Sequence, residues 1–430
     1  MENNTQLKEM IRSMVIDILQ GQKQEAASSK PFKQAPRGQV EPGVFDTVDE
    51  AIQAAKAAQA RFEDCTLATR EKVIADIRAA MRPRVQELAQ KTVEETGMGR
   101  VADKVLKLNL TLDKTPGVED LVTECETGDN GMTLYELSAY GVIGAITPST
   151  NPAETLICNT IGMLAAGNAV FFSVHPGAKH LSRLLVSELN QIIAKSIGIE
   201  NLIVTLREPS IESAQEMMLH PDVSLLVVTG GPGVVKQALQ SGKKVIGAGA
   251  GNPPAFVDET ADIKKAAQDI VLGASLDNNI LCIAEKSVVA MHQIEPQLVQ
   301  EMVKAGCVLI ENQQDIQRLV DLTVLPNGTP NKKYVGKNAS VILDAAHIPY
   351  NGDPRLIIMR TPKDHPFAVI EMLMPILPVV TVDSFDEGLD VCLMLEAGLH
   401  HTATMHSLNM ERLNRMARKM KTSIFVKNGP

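Results

Sequence analysis

The sequence predicts an α/β protein with two packed domains, each built on a parallel sheet that helices cover. The chain has 430 residues, of which 44% are apolar, and this length exceeds the size of one ordinary hydrophobic core. Between residues 141 and 249, short apolar runs alternate with stretches of helical length. Such alternation is typical of strands and helices that build a parallel sheet.

The bulk composition excludes several classes of protein. The formal net charge is −9 and there is no dense basic run, which argues against nucleic acid as a partner. No apolar run approaches the ~18 residues that a membrane span needs. The six cysteines form no CxxC pair and the nine histidines show no metal-ligand spacing, so we expect a reducing compartment, no disulfide framework and no metal.

The first 20 residues are predicted to form an amphipathic helix, and residues 21–43, rich in Pro, Gly, Ser, Gln and Lys, a flexible linker. Charged residues interrupt any secretory apolar core. The apolar stripe of the helix consists of Leu7, Met10, Ile11, Met14, Val15, Ile18 and Leu19. A stripe without a local core favours a docking peptide; the alternatives are a helix that folds back on its own domain or pairs with another copy.

The compact part of the chain is predicted to begin near Val44. Thr47 and Glu50 fit a capping box at the start of helix 49–62, and more helix follows through about Asn109. Segment 125–140 contains an Asn-Gly pair at a turn, followed by alternating apolar residues, and therefore predicts a β-hairpin.

The next part alternates regularly between strands and helices. The predicted strands are 141–147, 169–174, 201–206, 224–230 and 243–249. The predicted helices are 153–167, 180–197, 210–219 and 233–240. A second α/β unit is expected from about Gly251, with a helix at about 260–274 and a strand at 286–291.

Two glycine clusters suggest contact between backbone and a ligand. Thr229, Gly230 and Gly231 join a strand end to a helix start, where free N–H groups favour a pyrophosphate; an ordinary tight turn explains them equally well. The run GAGAGN (247–252) lacks the third glycine of a dinucleotide fingerprint, and the Pro-Pro pair after it prevents a helix. It predicts a loop whose backbone passes close to another group.

Asn151 and Cys282 are the candidates for chemistry. Asn151 follows strand 141–147, where its amide can donate to a developing oxyanion, although an ordinary helix N-cap is the commoner use of Asn there. Cys282 lies in a loop after Asn278 and Asn279. It is either a nucleophile or an inert small apolar residue, and no neighbouring histidine in the sequence offers itself as a base.

Seven blocks occur together in a familiar order and spacing. They are TPSTNP (147–152), AAGNAV (165–170), VVTGG (227–231), GAGNPP (249–254), LDNNILCIAEK (276–286), EMLMP (371–375) and TSIFVKNGP (422–430). Over roughly residues 44–430 the chain resembles the aldehyde dehydrogenase superfamily. Within it, the chain is most similar to the coenzyme-A-acylating acetaldehyde and propionaldehyde dehydrogenases of ethanolamine and propanediol utilisation in bacterial microcompartments.

The resemblance implies a role for each candidate. Cys282 matches the catalytic nucleophile, and Asn151 matches the oxyanion donor, with the backbone N–H of Cys282 as the second donor. Glu371 matches the glutamate that binds the nicotinamide ribose, and His175 stands beside the adenine ribose. The cofactor-binding residues implied are Thr147, Pro148, His175, Thr229, Gly230, Gly231, Gly249 and Glu371.

One departure from the hydrolytic relatives bears on the product. These relatives carry a glutamate in an ELGGK block that activates water, whereas here the matching stretch has no acid between Gly247 and Val257. A thiolate needs no such base at the acyl carbon, so an acyl-CoA thioester is the expected product, with NAD as oxidant. Ala178 stands where NAD-specific relatives often have an acid, which leaves NADP open.

The resemblance also implies an organisation. Residues 44–247 would bind the nicotinamide cofactor, with the hairpin 125–140 serving assembly into a dimer or tetramer; residues 248–415 would form the catalytic domain, and 416–430 a return strand. The chain is expected to be shortened at its C-terminus. The N-terminal helix would bind a microcompartment shell protein, which places the enzyme in the cytoplasm, inside a microcompartment.

Three alternatives remain open from the sequence. Glu285 or Glu371 could activate water in a hydrolytic enzyme, or the chain could be an inactive cargo protein held by its N-terminal helix. A set of histidines either lines the coenzyme A path or is structural: His365, His400, His401 and His406.

Overall fold

The computed structural model describes residues 41–430. The helix predicted for residues 1–20, and the linker up to residue 40, lie outside the described residues. The last three residues of the predicted linker do lie in the described part. There the Glu41 carboxylate pairs with Arg183 (2.7 Å) and Arg207 (2.8 Å), so the chain is attached to the domain three residues before Val44.

The first domain has a six-stranded parallel sheet, in the order β1-β6-β5-β4-β7-β8, and a separate antiparallel hairpin, β2-β3. The strands are β1 (Val44–Phe45), β2 (Glu124–Gly128), β3 (Gly131–Tyr135), β4 (Val142–Ile146), β5 (Ala169–Ser173), β6 (Ile203–Leu206), β7 (Val223–Thr229) and β8 (Lys244–Ala248). The alternation and the hairpin predicted from the sequence are confirmed.

Eight helices of this domain surround the sheet. They are α1 (Val48–Glu63), α2 (Leu67–Met81), α3 (Val85–Thr96), α4 (Val101–Lys114), α5 (Pro152–Ala165), α6 (Lys179–Ile197), α7 (Ile211–Leu219) and α8 (Pro232–Gln240). Thr47 caps α1 by accepting from the Glu50 N–H (3.4 Å). The Glu50 carboxylate accepts from the Thr47 hydroxyl (2.8 Å), so the contact differs from the backbone contact of a full capping box.

The second domain has a seven-stranded parallel sheet, in the order β11-β12-β13-β10-β9-β14-β15. Its strands are β9 (Pro254–Val257), β10 (Ser287–Met291), β11 (Cys307–Leu309), β12 (Leu356–Arg360), β13 (Ile376–Val382), β14 (Thr402–His406) and β15 (Ile424–Lys427). Its helices are α9 (Ile263–Ser275), α10 (Glu295–Lys304), α11 (Gln313–Thr323), α12 (Ala339–Ala345), α13 (Pro366–Val369), α14 (Phe385–Glu396) and α15 (Met410–Met420).

The predicted boundary at residue 415 falls inside α15, and β15 pairs with β14 in parallel. Residues 416–430 therefore complete the second sheet. Within residues 41–430, no helix is long and apolar enough to cross a membrane.

The predicted site residues lie at opposite ends of the strands in the two sheets. Thr147 and Thr229 lie at the carboxyl ends of β4 and β7, where open sheets commonly bind ligands. In the second sheet, the candidate residues precede their strands: Cys282 precedes β10 and Glu371 precedes β13. The predicted site residues therefore follow their strands in the first sheet and precede them in the second.

Candidate active site

Cys282 lies in a tight turn before β10, in which the Ala284 N–H donates to the Leu281 carbonyl (3.2 Å). The thiol is half-buried. Burial raises the pKa of Cys282, the neighbouring Lys286 ammonium lowers it, and the Glu371 carboxylate raises it. The thiol thus has one cation and one anion close by.

The loop before Cys282 begins with three consecutive left-handed residues, Asp277 (φ 50°), Asn278 (φ 56°) and Asn279 (φ 63°). This conformation is unfavourable for side chains other than glycine, although Asn and Asp adopt it most readily. Side-chain hydrogen bonds hold it: Asn278 Nδ2 donates to the Gly336 carbonyl (2.8 Å), and Asn279 Nδ2 donates to the Ala274 carbonyl (2.7 Å). The two amides therefore shape the loop that carries the thiol.

Lys286 is a residue of this site that the sequence reasoning missed. Its ammonium is buried and donates to the carbonyls of Leu281 (2.7 Å) and Asn279 (3.1 Å), both of which precede Cys282. Burial lowers the pKa of Lys286 to about 8. The only sequence signal was its position four residues after Cys282, which does not by itself distinguish it from a surface lysine.

Asn151 occupies the N-cap position of α5, but its side chain makes no capping bond. The Oδ1 atom instead accepts from Lys107 Nζ, and Nδ2 lies 3.3 Å from Thr150 Oγ1. The ordinary N-cap interpretation is therefore wrong for this side chain. Lys107 also bonds Asp277 Oδ2 (2.6 Å), which links Asn151 to the start of the nucleophile loop.

The predicted close approach in the glycine run occurs at Gly251. A methyl group on Gly251 would lie 2.9 Å from the Cys282 carbonyl oxygen and 2.8 Å from the His401 ring, so only glycine fits without displacing backbone. The next residue, Asn252, is buried and donates to the Ala368 and Leu395 carbonyls (both 2.8 Å). The glycine run thus brings His401 beside the nucleophile loop.

His401 is the one of the four candidate histidines that this contact places at the site. Its Nδ1 lies 2.9 Å from Thr402 Oγ1. Burial lowers the pKa of His401, and the Lys286 ammonium lowers it further, against the Glu396 carboxylate. The imidazole is therefore neutral at pH 7.

The two candidate acids for water activation differ in position. Burial raises the pKa of Glu371, while the Lys286 ammonium and the Gly251 N–H lower it; this carboxyl also raises the pKa of Cys282. Glu285 packs against α9, where a methyl group on Gly273 would collide with its carboxyl. Burial raises the pKa of Glu285 to about 7.

The turn of Thr229, Gly230 and Gly231 is tight at one of its two glycines and open at the other. The Gly230 N–H donates to the Ala248 carbonyl (3.1 Å), and a methyl group there would lie 2.7 Å from Val234, so the turn does require a small residue. Gly231 is the N-cap of α8 and provides no side chain to it. A methyl group on Gly231 or Gly233 would meet no neighbour, so the space before the helix is open to a phosphate.

The remaining predicted cofactor residues border the same region. Thr147 follows β4, and its Oγ1 is buried without a hydrogen-bond partner, which leaves it available to a ligand. Pro148 comes next in the chain. Gly249 follows β8, and a methyl group on it would meet no atom within 4 Å. His175 is exposed after β5, and its Nδ1 accepts from the Gly177 N–H (3.0 Å).

Known proteins share this sequence and fold. The aldehyde dehydrogenase family profile matches residues 18–430. A propanal dehydrogenase (CoA-propanoylating) of Citrobacter freundii is 48% identical over 429 residues, which are 100% of this chain and 90% of the relative.

Two solved structures are similar throughout. A propionaldehyde dehydrogenase of Rhodopseudomonas palustris, with bound CoA and an acylated cysteine, superposes with a TM-score of 0.89 at 47% identity, covering 91% of this chain and 90% of that one. A propionaldehyde dehydrogenase from the fucose utilisation microcompartment of Clostridium phytofermentans gives a TM-score of 0.89 at 46% identity, covering 91% and 89%.

Proposed function

The chain belongs to the aldehyde dehydrogenase family, and we propose that it acts through Cys282 as nucleophile and Asn151 as oxyanion donor. It is a CoA-acylating aldehyde dehydrogenase, an oxidoreductase that converts a small aldehyde and coenzyme A into an acyl-CoA with a nicotinamide cofactor. The observation that best supports the acylating chemistry is the glycine run at Gly251. Gly251 packs against the Cys282 carbonyl. The stretch around Gly251, which matches the block where hydrolytic relatives carry a water-activating glutamate, has no acid between Gly247 and Val257.

The first half of the reaction forms an acyl-enzyme. The Cys282 thiolate adds to the aldehyde carbonyl, and the thiohemiacetal oxyanion accepts from Asn151 Nδ2 and from the Cys282 N–H. The Lys286 ammonium lowers the pKa of the thiol and so increases the fraction of thiolate. A thioester between Cys282 and the acyl group remains.

The nicotinamide cofactor takes up the hydride when it is bound. The turn of Thr229, Gly230 and Gly231 fits its phosphates, because the helix start behind the turn is open. Glu371 is proposed to bind the nicotinamide ribose. Further contacts are proposed for Thr147, Pro148, His175 and Gly249.

The second half of the reaction transfers the acyl group to coenzyme A. His401, neutral and beside the nucleophile loop, is suited to accept the proton of the incoming thiol. The coenzyme A thiolate then adds to the acyl carbon, and Cys282 leaves as a thiolate. His401, the proposed base, immediately precedes β14.

The test is NADH formation from propionaldehyde and NAD, with and without coenzyme A, with identification of the product. We expect NADH formation to depend on coenzyme A and the product to be propionyl-CoA. Cys282→Ala should abolish turnover, while Cys158→Ala, at an exposed cysteine on α5, serves as the matched control. Steady formation of free propionate without coenzyme A would refute the acylating function and indicate Glu371 as a water-activating base.

We also propose that the enzyme is a homo-oligomer that works in the cytoplasm, inside a bacterial microcompartment. Every residue of β2 and β3 is exposed, including Met132 and Leu134, and a two-stranded hairpin is marginally stable alone, which supports a role in assembly. The microcompartment origin of the Clostridium phytofermentans relative supports the location. Residues 1–20 are the proposed contact with the shell.

A further inference from the structure

Behind Asn151 lies a buried group of charges that the proposed function leaves unexplained. We call it the lysine cluster; it consists of Lys104, Lys107, Glu154 and Asp277. Each side chain is at most 9% exposed. Two cations and two anions make the cluster electrically balanced, which is what the burial of ions requires.

The two lysines share Asp277 as a partner and differ in their other contacts. They lie one turn apart on α4, and both bond Asp277 Oδ2, Lys104 at 2.9 Å and Lys107 at 2.6 Å. Lys104 Nζ then donates to the Thr150 backbone carbonyl (2.7 Å). Lys107 Nζ instead donates to Asn151 Oδ1 and pairs with Glu154 Oε1 (3.2 Å).

This contact determines which way the Asn151 amide faces. An ammonium group has donors and no acceptor, so it must meet the oxygen of the amide. The Nδ2 end then faces away from Lys107; one of its two N–H groups donates to Thr150 Oγ1 (3.3 Å), and the other is left for a substrate. The positive charge of the Lys107 ammonium beside Asn151 Oδ1 also polarises the amide and strengthens its N–H as a donor.

We propose that Lys107 is a positioning residue that orients and polarises the Asn151 amide toward the thiohemiacetal oxyanion. Through Asp277, the same ammonium holds that amide at a fixed place relative to the loop of Cys282. The inference deepens the proposed function and rests on Asn151 being the oxyanion donor.

The charge on Lys107 persists at neutral pH. Burial alone would lower its pKa, but the Glu154 and Asp277 carboxylates raise the pKa of Lys107 above its ordinary value. The polarising cation is therefore present at neutral pH.

The test removes Lys107 without leaving an unbalanced buried charge. The variant that combines Lys107→Met with Glu154→Gln keeps the ion pair of Lys104 and Asp277. The matched control combines Lys104→Met with Glu154→Gln and keeps the ion pair of Lys107 and Asp277. Both double variants lose one cation and one anion. We expect the first to lower kcat for NADH formation by about 10–100-fold, with KM for propionaldehyde within about threefold, and the control to keep kcat within about threefold.

Lys107→Gln with Glu154→Gln provides a milder variant, should the methionine variant fail to fold. The glutamine amide still donates to Asn151 Oδ1 but carries no charge, so its kcat should lie between the control and the methionine variant. A kcat equal to that of the control in both Lys107 variants would overturn the proposal.

The decisive measurement repeats the exchange in an Asn151→Ala background. If Lys107 acts through Asn151, its loss should there cost less than about twofold in kcat, because residues that act as a unit are not additive. The same fold-loss with and without Asn151 would overturn the inference. Wild-type kcat in Asn151→Ala alone would instead refute the oxyanion assignment of the proposed function, and the inference with it.

Discussion

Lys286 and His401 are residues of the proposed site whose positions in the fold cannot be read from the linear sequence. Lys286 lies in the same block as Cys282, yet its importance comes from burial, which turns its ammonium toward the carbonyls of the nucleophile turn. His401 lies 119 residues after Cys282 in the numbering, and both its ring and the Cys282 carbonyl lie against Gly251. A pattern of residue types contains neither fact, because both depend on tertiary packing.

Lys286→Met should slow the alkylation of Cys282 by iodoacetamide at pH 7. The ammonium lowers the pKa of the thiol, so its removal raises that pKa and reduces the fraction of thiolate. Lys286 itself loses its proton near pH 8. The difference between variant and wild type should therefore be largest below pH 8 and shrink above pH 9.

Peptide-resolved mass spectrometry gives the rate for each cysteine in this experiment. The exposed Cys158 is the internal control and should react equally in both proteins. Equal rates for Cys282 at pH 7 would show that Lys286 has no influence on the thiol.

Gly251→Ala should destabilise the fold by about 1–3 kcal/mol, the usual cost of overpacking. The added methyl group would lie 2.9 Å from the Cys282 carbonyl, and backbone cannot move aside as a flexible side chain can. Gly249→Ala, where the methyl group meets nothing within 4 Å, is the matched control and should change stability by less than about 0.5 kcal/mol. Urea unfolding measures both, and equal losses would contradict the close approach.

At the scale of elements, the sequence predicted most of what the structure contains. The helix predicted over 153–167 is α5, which ends at Ala165 just before the left-handed Gly167 (φ +79°), and the strands and helices from residue 141 to 249 follow the predicted order. Those elements have strong apolar periodicity and distinct breaker residues. The left-handed turn at Asp277 was not predictable, since Asp277 and Asn278 are held by partners from distant parts of the chain, Lys107 and Gly336.

The hairpin β2-β3 has a proposed role in assembly that a measurement of mass in solution tests. Leu134→Arg, at a side chain that is 57% exposed, should shift the enzyme to a smaller assembly, because a charge opposes the burial of this surface. Leu219→Arg, at a 66% exposed leucine on α7, is the control and should leave the mass unchanged. Light scattering after size-exclusion chromatography gives the mass, and an unchanged mass for Leu134→Arg would argue against assembly through the hairpin.

At the scale of the whole molecule, the proposed site combines residues that follow strands of the first sheet with residues that precede strands of the second. The rule that ligands lie at carboxyl ends of parallel strands predicted the position of Asn151 in the first sheet. In the second sheet, Cys282 precedes β10 and His401 precedes β14, so the same rule would have pointed to the wrong edge. Only the resemblance to a known family favoured Cys282 as a nucleophile over an inert apolar cysteine.

The predicted N-terminal helix has a test that separates it from the enzyme. Deletion of residues 1–20 should leave turnover in solution unchanged, since the proposed site lies within residues 41–430, and should abolish co-localisation with the compartment shell. Ile11→Glu, on the apolar stripe, should reproduce the loss, whereas Lys8→Gln, off the stripe, should not. Normal co-localisation of the deletion variant, observed by fluorescence microscopy, would refute the docking role.

The balanced charges of the lysine cluster also limit how this protein can evolve. Loss of Lys107, Glu154 or Asp277 alone leaves an uncompensated buried ion, which typically costs about 3–5 kcal/mol, a large part of the stability of an ordinary domain. Viable descendants must therefore change a cation and an anion together, or pass through a compensating substitution. These positions form an epistatic unit, and across diverged lineages they should covary while the exposed residues around them drift independently.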